Sequence, residues 1–310
     1  MPLLTLPAGR LFAAWDLLAR WRSLGRRFRV AMPAGEMPRG TAEAAPVPAA
    51  GPAAPTLSAA EARALWIDRL WGPGFLTPGG EAEVLRLAFL LPLSPATTVL
   101  LVGRDGGGAA AALAGQRGAW VAAHQHDPWL TERLAPLVRP FGRRVAVQPW
   151  DPAAPAFRAR YHHHALALEP MQAGAAPGPL CQALATAIKP AGQLVLLETV
   201  AMAEGEVPGL ARWLTLDGRA APPPPRAAVE TALQAAGFAL HVTESLGPRH
   251  AAAATEAWQT LLAGLRDGTR PAGAAEAAAL VTEAERWLLH QRLLRAGALA
   301  VLRWHATLRG

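Results

Sequence analysis

Between residues 98 and 198 short runs of aliphatic and β-branched residues recur, each bounded by glycine, proline or polar residues and separated by stretches with helical spacing. This pattern constrains the chain more than any other. It predicts strands at 98–102, 120–124, 143–147, 165–168 and 193–198, with helices at 107–116, 128–138 and 179–188 between them. Runs as apolar as Thr98-Val-Leu-Leu-Val102 must be buried on both faces, and strand–helix alternation of this kind builds a parallel sheet covered by helices on each side. The expected class is therefore α/β, a doubly wound and mostly parallel sheet. Further on, the spacing predicts a helix over 226–236, a sixth strand over 238–245, strongly helical segments over 250–266 and 272–295, and a last strand over 297–308.

The body opens at Ser58-Ala-Ala-Glu61, the capping-box spacing in which a serine oxygen and a glutamate satisfy each other's free amides at a helix start. Helices are predicted from there to about Leu70 and over 80–91. Ahead of it, residues 33–56 are almost entirely Ala, Pro and Gly, with six prolines, and read as a linker. Residues 1–32 read as a basic amphipathic helix: Leu11, Phe12, Trp15, Leu18, Leu24 and Phe28 lie among six arginines. Such a helix packs on its own domain, lies on an anionic membrane surface or docks a protein partner through residues 9–30. The domain expectation is thus 1–32, 33–56 and 57–310, the last with a helical insertion at about 250–295.

Composition narrows the functional classes. Cys181 is the sole cysteine, so neither an internal disulfide nor a cysteine-rich metal site can form, and a reducing cytoplasm is expected. The isoelectric point of about 11.1 reflects scarce lysine and tyrosine, for the formal charge is only +7. Most of that excess sits in the first 30 residues, leaving the body nearly neutral. An extended phosphate-binding face for nucleic acid is not expected. The most apolar stretch, 84–102, is interrupted by Arg86, Pro92 and Pro95 and is too short to span a bilayer. The first residues show no apolar core and cleavage site of a secretory signal.

In a doubly wound sheet the ligand lies at the carboxyl ends of the strands, beside the point where strand order reverses. Here the first strand–helix turn is Gly103-Arg-Asp-Gly-Gly-Gly108, whose glycines permit positive φ and close backbone approach. A dinucleotide fingerprint would need glycine at position 105 and an acid near 125, where Asp105 and Gln125 stand. A carboxylate in that turn opposes a pyrophosphate but tolerates the cationic sulfonium and ammonium of S-adenosylmethionine.

At this point a family resemblance emerges. Val99-Leu-Leu-Val-Gly103-Arg-Asp-Gly-Gly107-Gly resembles motif I of the class I S-adenosylmethionine-dependent methyltransferases, and Ile188-Lys-Pro-Ala-Gly-Gln-Leu-Val-Leu-Leu197 is similar to their fifth-strand signature. Gln148-Pro-Trp-Asp151 resembles the loop after their third strand, and Ala235-Ala-Gly-Phe238 their late helix–strand junction. The resemblance runs over about 57–308. It implies a seven-stranded Rossmann-like sheet with an antiparallel last strand and S-adenosylmethionine as cofactor. It also implies cofactor binding by Gly103, Asp105, Gly107, Gln125, Trp150 and Asp151. The chain departs from the family's pattern at Leu101 and Gln125, where acids usually stand, and at Asp105, usually glycine.

Methyl transfer demands alignment and at times one proton acceptor. Glu169, at the end of the fourth strand, and His250, at the start of the helical insertion, are the candidate catalytic residues. Three consecutive histidines, His162 to His164, could present at most two side chains to one face. With no cysteine partner and no His-Glu-x-x-His helix, no metal is expected. After the fourth strand stands Glu169-Pro-Met, unlike the motif of base-flipping enzymes, so a small-molecule acceptor is expected. The alternative is a catalytically degenerate relative kept for binding or regulation, for which Leu101, Asp105 and Gln125 speak together. Nothing in the sequence fixes the oligomeric state.

Overall fold

The structure, a computed structural model, describes residues 57–203, 205–268 and 270–310. The basic helix expected over 1–32 and the linker over 33–56 lie outside the described residues. The chain divides into Met1–Thr56 and Leu57–Gly310, and the second unit is described below.

Its elements run α1 (Ala59–Trp71), α2 (Gly80–Ala88), β1 (Thr98–Gly103), α3 (Gly108–Arg117), β2 (Trp120–Gln125), α4 (Pro128–Val138), β3 (Val145–Pro149), β4 (His162–Leu168), α5 (Pro177–Ala187), β5 (Ile188–Ala201), α6 (Leu210–Asp217), α7 (Arg226–Ala235), β6 (Phe238–Ser245), α8 (Gly247–Arg266), α9 (Ala274–Arg295) and β7 (Leu299–Leu308). The sheet order is β3-β2-β1-β4-β5-β7-β6. Strands β1 to β5 are parallel, and β7 enters antiparallel between β5 and β6. Both the seven strands and the reversed last strand agree with the topology that the family resemblance implies.

Local chemistry explains the starts of these elements. Ser58 Oγ accepts from the Glu61 amide at 3.2 Å while Glu61 Oε2 accepts from the Ser58 amide at 2.7 Å, so the capping box forms. At α4, Asp127 accepts from the Trp129 amide at 2.9 Å and Pro128 occupies the first helical position, where its missing N–H costs nothing. Strands β1 and β4 are buried along nearly their whole length, as expected of central parallel strands.

Four local expectations need correction. Strand β3 begins at Val145 rather than 143, because residues 139–144 form a 3-10 turn. Helix α2 ends at Ala88, before the turn that leads to Pro92. Strands β4 and β5 are longer than predicted: Ile188 pairs with His162 beyond an irregularity, and β7 pairs along β5 as far as Ala201. Helix α6 is wholly unexpected, since Leu210-Ala-Arg-Trp-Leu-Thr-Leu-Asp217 is too short to display a clear period.

Candidate active site

The site is built around the turn after β1. Gly103 pairs with Leu168 at the end of β4, so the turn lies where strand order reverses between β1 and β4. Asp105 folds back beneath the start of α3. Its carboxylate accepts from the amides of Gly107, Ala109 and Ala110 at 3.0, 2.9 and 3.2 Å. Those are the amides that a helix start normally offers to an anion. Burial pushes the Asp105 carboxyl up to about 6, against the pull of the three amide bonds.

The turn is covered by residues 72–79. Gly106 and Gly108 donate their amides to Gly74 O at 2.9 and 3.1 Å, and the Gly74 amide donates to Asp68 Oδ1 at 3.0 Å. Gly74 has φ +75, and a Cβ there would fall 2.7 Å from the Gly108 nitrogen and 2.4 Å from Leu137 Cδ1. Only glycine permits this approach. Asp68, which holds the segment down, is also ion-paired with Arg133 of α4.

Gln125, at the end of β2, is committed to the same layer. Its Nε2 donates to Asp105 O at 2.8 Å, and its Oε1 accepts from the amides of His126 and Asp127 at 2.9 and 3.2 Å. Leu101, Gly103, Asp105, His124, Gln125 and Leu134 enclose a cavity of about 10 Å3, space for a single water. Beyond it Trp150 is buried, its ring 6.1 Å from His126 and 6.0 Å from Phe157. Trp150 Nε1, His124 Nδ1 and His126 Nδ1 are buried and lack a hydrogen-bond partner among the described residues. Asp151 is exposed and accepts from the Ala153 amide at 2.9 Å within its own loop. Of the six residues expected to hold a cofactor, Gly103, Asp105, Gly107 and Gln125 converge. Trp150 adjoins them, and Asp151 is turned outward.

A second centre lies at the ends of β4 and β5. Glu169 stands at φ +47, a left-handed conformation costly for a residue with a side chain. Its Oε1 accepts from Thr199 Oγ1 at 2.5 Å and from Arg219 at 3.1 Å, and its Oε2 from Arg104 at 3.3 Å. Asp217, closing α6, binds Arg286 at 2.6 Å, Arg219 at 3.0 Å and Arg104 at 3.4 Å. Glu198 accepts from the Met171 amide at 2.9 Å and lies 3.5 Å from Arg219, while Glu283 joins Arg286 to Arg63. Four arginines and four carboxylates thus share one largely buried network.

Its electrostatics are uneven. Burial pushes Glu169 up, but Arg104 and Arg219 hold it below the usual carboxylate range. The same contest leaves Asp217 well below its ordinary value, with Arg104 and Arg286 prevailing over burial. Glu198 goes the other way, up to about 7, because burial outweighs Arg219. Above the network sit His250 and His290, ring centroids 5.4 Å apart, with the Trp213 ring stacked on His290. Burial drives His250 down to about 4 and His290 well below 6.5, so both are neutral at pH 7. His250 Nε2 and both ring nitrogens of His290 have no partner among the described residues. Leu76 and Pro78 close the roof of the small cavity that these groups line.

The two candidate catalytic residues, Glu169 and His250, therefore face the same cavity. Sequence reasoning missed Arg104, Asp217, Arg219, Arg286 and His290. A signal existed for part of them: Glu283, Arg286 and His290 interrupt, at helical spacing, the apolar stripe of Leu280, Trp287 and Leu294. The histidine triplet takes no part. His162 and His164 are buried, His163 Nε2 lies 2.9 Å from Lys189 Nζ, and among the described residues no cluster of ligating side chains could hold a metal. No described helix is long and apolar enough to cross a membrane.

No family model matches the sequence, and no curated protein matches it. Solved structures do match in fold. A phosphoethanolamine N-methyltransferase 2 from Haemonchus contortus, bound to phosphomonomethylethanolamine and S-adenosylhomocysteine, superposes with a TM-score of 0.69 at 15% identity, covering 82% of this chain and 58% of its own. The present chain spans little more than half the length of that protein. A cyclopropane synthase from Mycobacterium tuberculosis gives 0.58 at 18% identity over 73% of this chain and 83% of its own. A geranyl diphosphate C-methyltransferase from Streptomyces coelicolor, with Mg2+, geranyl diphosphate and S-adenosylhomocysteine, gives 0.55 at 13% identity over 73% and 78%. In strand order, in its antiparallel seventh strand and in the place of its glycine turn, this chain has the class I methyltransferase fold.

Proposed function

We propose that the chain catalyses S-adenosylmethionine-dependent methyl transfer to a small-molecule acceptor. The observation that carries this reading is the adjacency of two centres at one sheet edge, the glycine turn after β1 and the polar cavity beyond β4 and β5. Proteins similar in fold were crystallised with S-adenosylhomocysteine and small substrates, which supports the same division of labour here.

The residues fit an adenosyl ligand at one end and require movement at the other. Buried and unpartnered Trp150 Nε1, His124 Nδ1 and His126 Nδ1 offer hydrogen-bonding capacity at the ends of β2 and β3. Gly103, Asp105, Gly107 and Gln125 form the floor, with Trp150 and Asp151 at the rim. The cavity there is far smaller than a nucleoside, so the groups that close it and the Gly74 contact over the turn must yield for entry. When bound, S-adenosylmethionine supplies a methyl group already activated by its cationic sulfur. The protein's part is alignment and proton removal. His250, neutral with Nε2 free, is placed to take a proton from the acceptor. Glu169, both oxygens engaged, holds Arg104 and Arg219 in position.

A second reading rests on a specific observation: the amides at the start of α3 are already satisfied by Asp105, and those of Gly106 and Gly108 by Gly74. A fold retained for binding or regulation would keep its turn closed in this way. Titration of the full chain with S-adenosylhomocysteine separates the two. Saturable binding that Gln125→Ala weakens supports the enzyme; no binding at millimolar ligand leaves the second reading.

A further inference from the structure

Arg104 is bound differently from the other arginines of the network. Arg219 and Arg286 each engage all three guanidinium nitrogens with carboxylates. Arg104 reaches both of its partners through one nitrogen, Nη1, at 3.3 and 3.4 Å, longer than the roughly 2.7–2.9 Å of a good charge-assisted bond. Its Nε and Nη2 make no hydrogen bond among the described residues. The side chain, 13% exposed, lines the cavity under Leu76 and Pro78. Beside it is His290, 4% exposed, whose two ring nitrogens are both unpartnered. Burying an imidazole with neither nitrogen satisfied is unfavourable, and a ligand would relieve that cost.

The carboxylates that face this cavity are spoken for. Glu169 is shared by Thr199, Arg219 and Arg104, and Asp217 by Arg286, Arg219 and Arg104. Glu283, one turn before Arg286 on α9, is bound to Arg286 and Arg63, and Glu198 lies behind Arg219. The uncommitted groups that line the cavity are mostly hydrogen-bond donors: Arg104 Nε and Nη2, the Trp213 indole N–H and the N–H of neutral His290, beside the free Nε2 of His250. Trp213 and Trp287 form its apolar wall.

We propose that Arg104 and His290 form an oxyanion subsite, which takes a carboxylate or a phosphate- or sulfate-type group carried by the acceptor. This assignment rests on the methyl-transfer reading for its purpose, although the subsite itself does not require a bound cofactor. His290 is held neutral by burial and by His250, Arg286 and Arg219 around it, with Asp217 pulling the other way; an anion in the cavity favours its protonated form, so affinity rises as pH falls. The network's own balance runs the same way, since Glu198 gains its proton near neutrality and leaves the four arginines in excess. Leu76 and Pro78 move to admit the ligand, as the cavity holds only about 10 Å3 when closed.

Sulfate and acetate, which keep their charge between pH 6 and 8, serve as probes. Each is titrated into the full chain at constant ionic strength, with heat and tryptophan fluorescence as readouts. Saturable millimolar binding of either is expected, at least threefold tighter at pH 6 than at pH 8, and the tighter of the two identifies the head group. Arg104→Gln weakens it at least tenfold, whereas Arg212→Gln, whose exposed side chain pairs with Glu285 and does not line the cavity, leaves it unchanged. Should Arg104→Gln fail to fold, His290→Gln is expected to weaken binding at least threefold at pH 6 and to reduce the pH dependence to the part that Glu198 carries. Absence of saturable binding by both anions, or binding indifferent to Arg104, overturns the proposal. Titration with S-adenosylhomocysteine in parallel keeps the two readings apart: cofactor binding without anion binding defeats the subsite alone, and the reverse defeats methyl transfer alone.

Discussion

Arg219 shows how much can depend on one side chain. It joins Glu169, Asp217 and Glu198 in a place where none of the three has much access to water. Removing one partner from a buried network leaves uncompensated charge, at a cost of about 3–5 kcal/mol. Arg219→Leu is therefore expected to lower the free energy of unfolding by that amount, read from denaturant titration; a loss below about 1 kcal/mol would mean that the network is hydrated. Gly74 makes the same point for the backbone. Gly74→Ala places a methyl group against the Gly108 amide at a positive φ, and is expected to cost about 2 kcal/mol or more, because neither backbone can yield. Neither residue stood out in the sequence. Arg219 follows a helix without a visible period, and Gly74 sits in a Gly-Pro-Gly run that reads as an ordinary turn. Asp105 was conspicuous, yet its role as cap of its own helix depends on a side-chain direction that spacing does not encode.

At the scale of elements, the alternation of apolar runs with helical stretches was enough to place most strands and helices, because strands buried on both faces have nothing but aliphatic residues to offer. Strand ends were less legible. Pairing with neighbours far along the chain extends β4 and β5, and only the assembled sheet supplies those neighbours. Helix α9 illustrates a deeper limit: Glu276, Glu283, Arg286, His290 and Gln291 are buried on it, so its polar residues do not mark its solvent face. The same burial predicts how stability responds to pH. His162, His164 and His250 are held to about 4 and His290 well below 6.5, so the unfolded chain binds more protons than the folded one between about pH 4 and 6.5. Their contribution is present at pH 7 and lost on acidification through that window. Glu198 and Asp105, raised to about 7 and 6, oppose this, since their cost accumulates as pH rises from about 4 to 7. Four histidines outweigh two carboxyls, so the melting temperature is expected to be lower at pH 5 than at pH 7. Glu198→Gln, which removes one opposing group, should steepen that fall. A melting temperature that rises on acidification would contradict these environments.

For the whole molecule, the sheet edge is the organising fact. Strand order reverses between β1 and β4, the turn after β1 opens there, and the helices after β5 bring Asp217, His250, Arg286 and His290 to the same edge. One short segment, residues 72–79, touches the glycine turn through Gly74 and roofs the polar cavity through Leu76 and Pro78. Access to both centres is thus coupled through a single connection between α1 and α2. A fold shared with enzymes of differing chemistry does not decide the reaction; the ligand at this edge does. The most direct measurement is calorimetric titration of the full chain with S-adenosylmethionine and S-adenosylhomocysteine, with NAD as control. Saturable binding of both at micromolar concentration, about −8 kcal/mol, with none for NAD, is the predicted result. No heat and no thermal shift at millimolar concentration of either would contradict it.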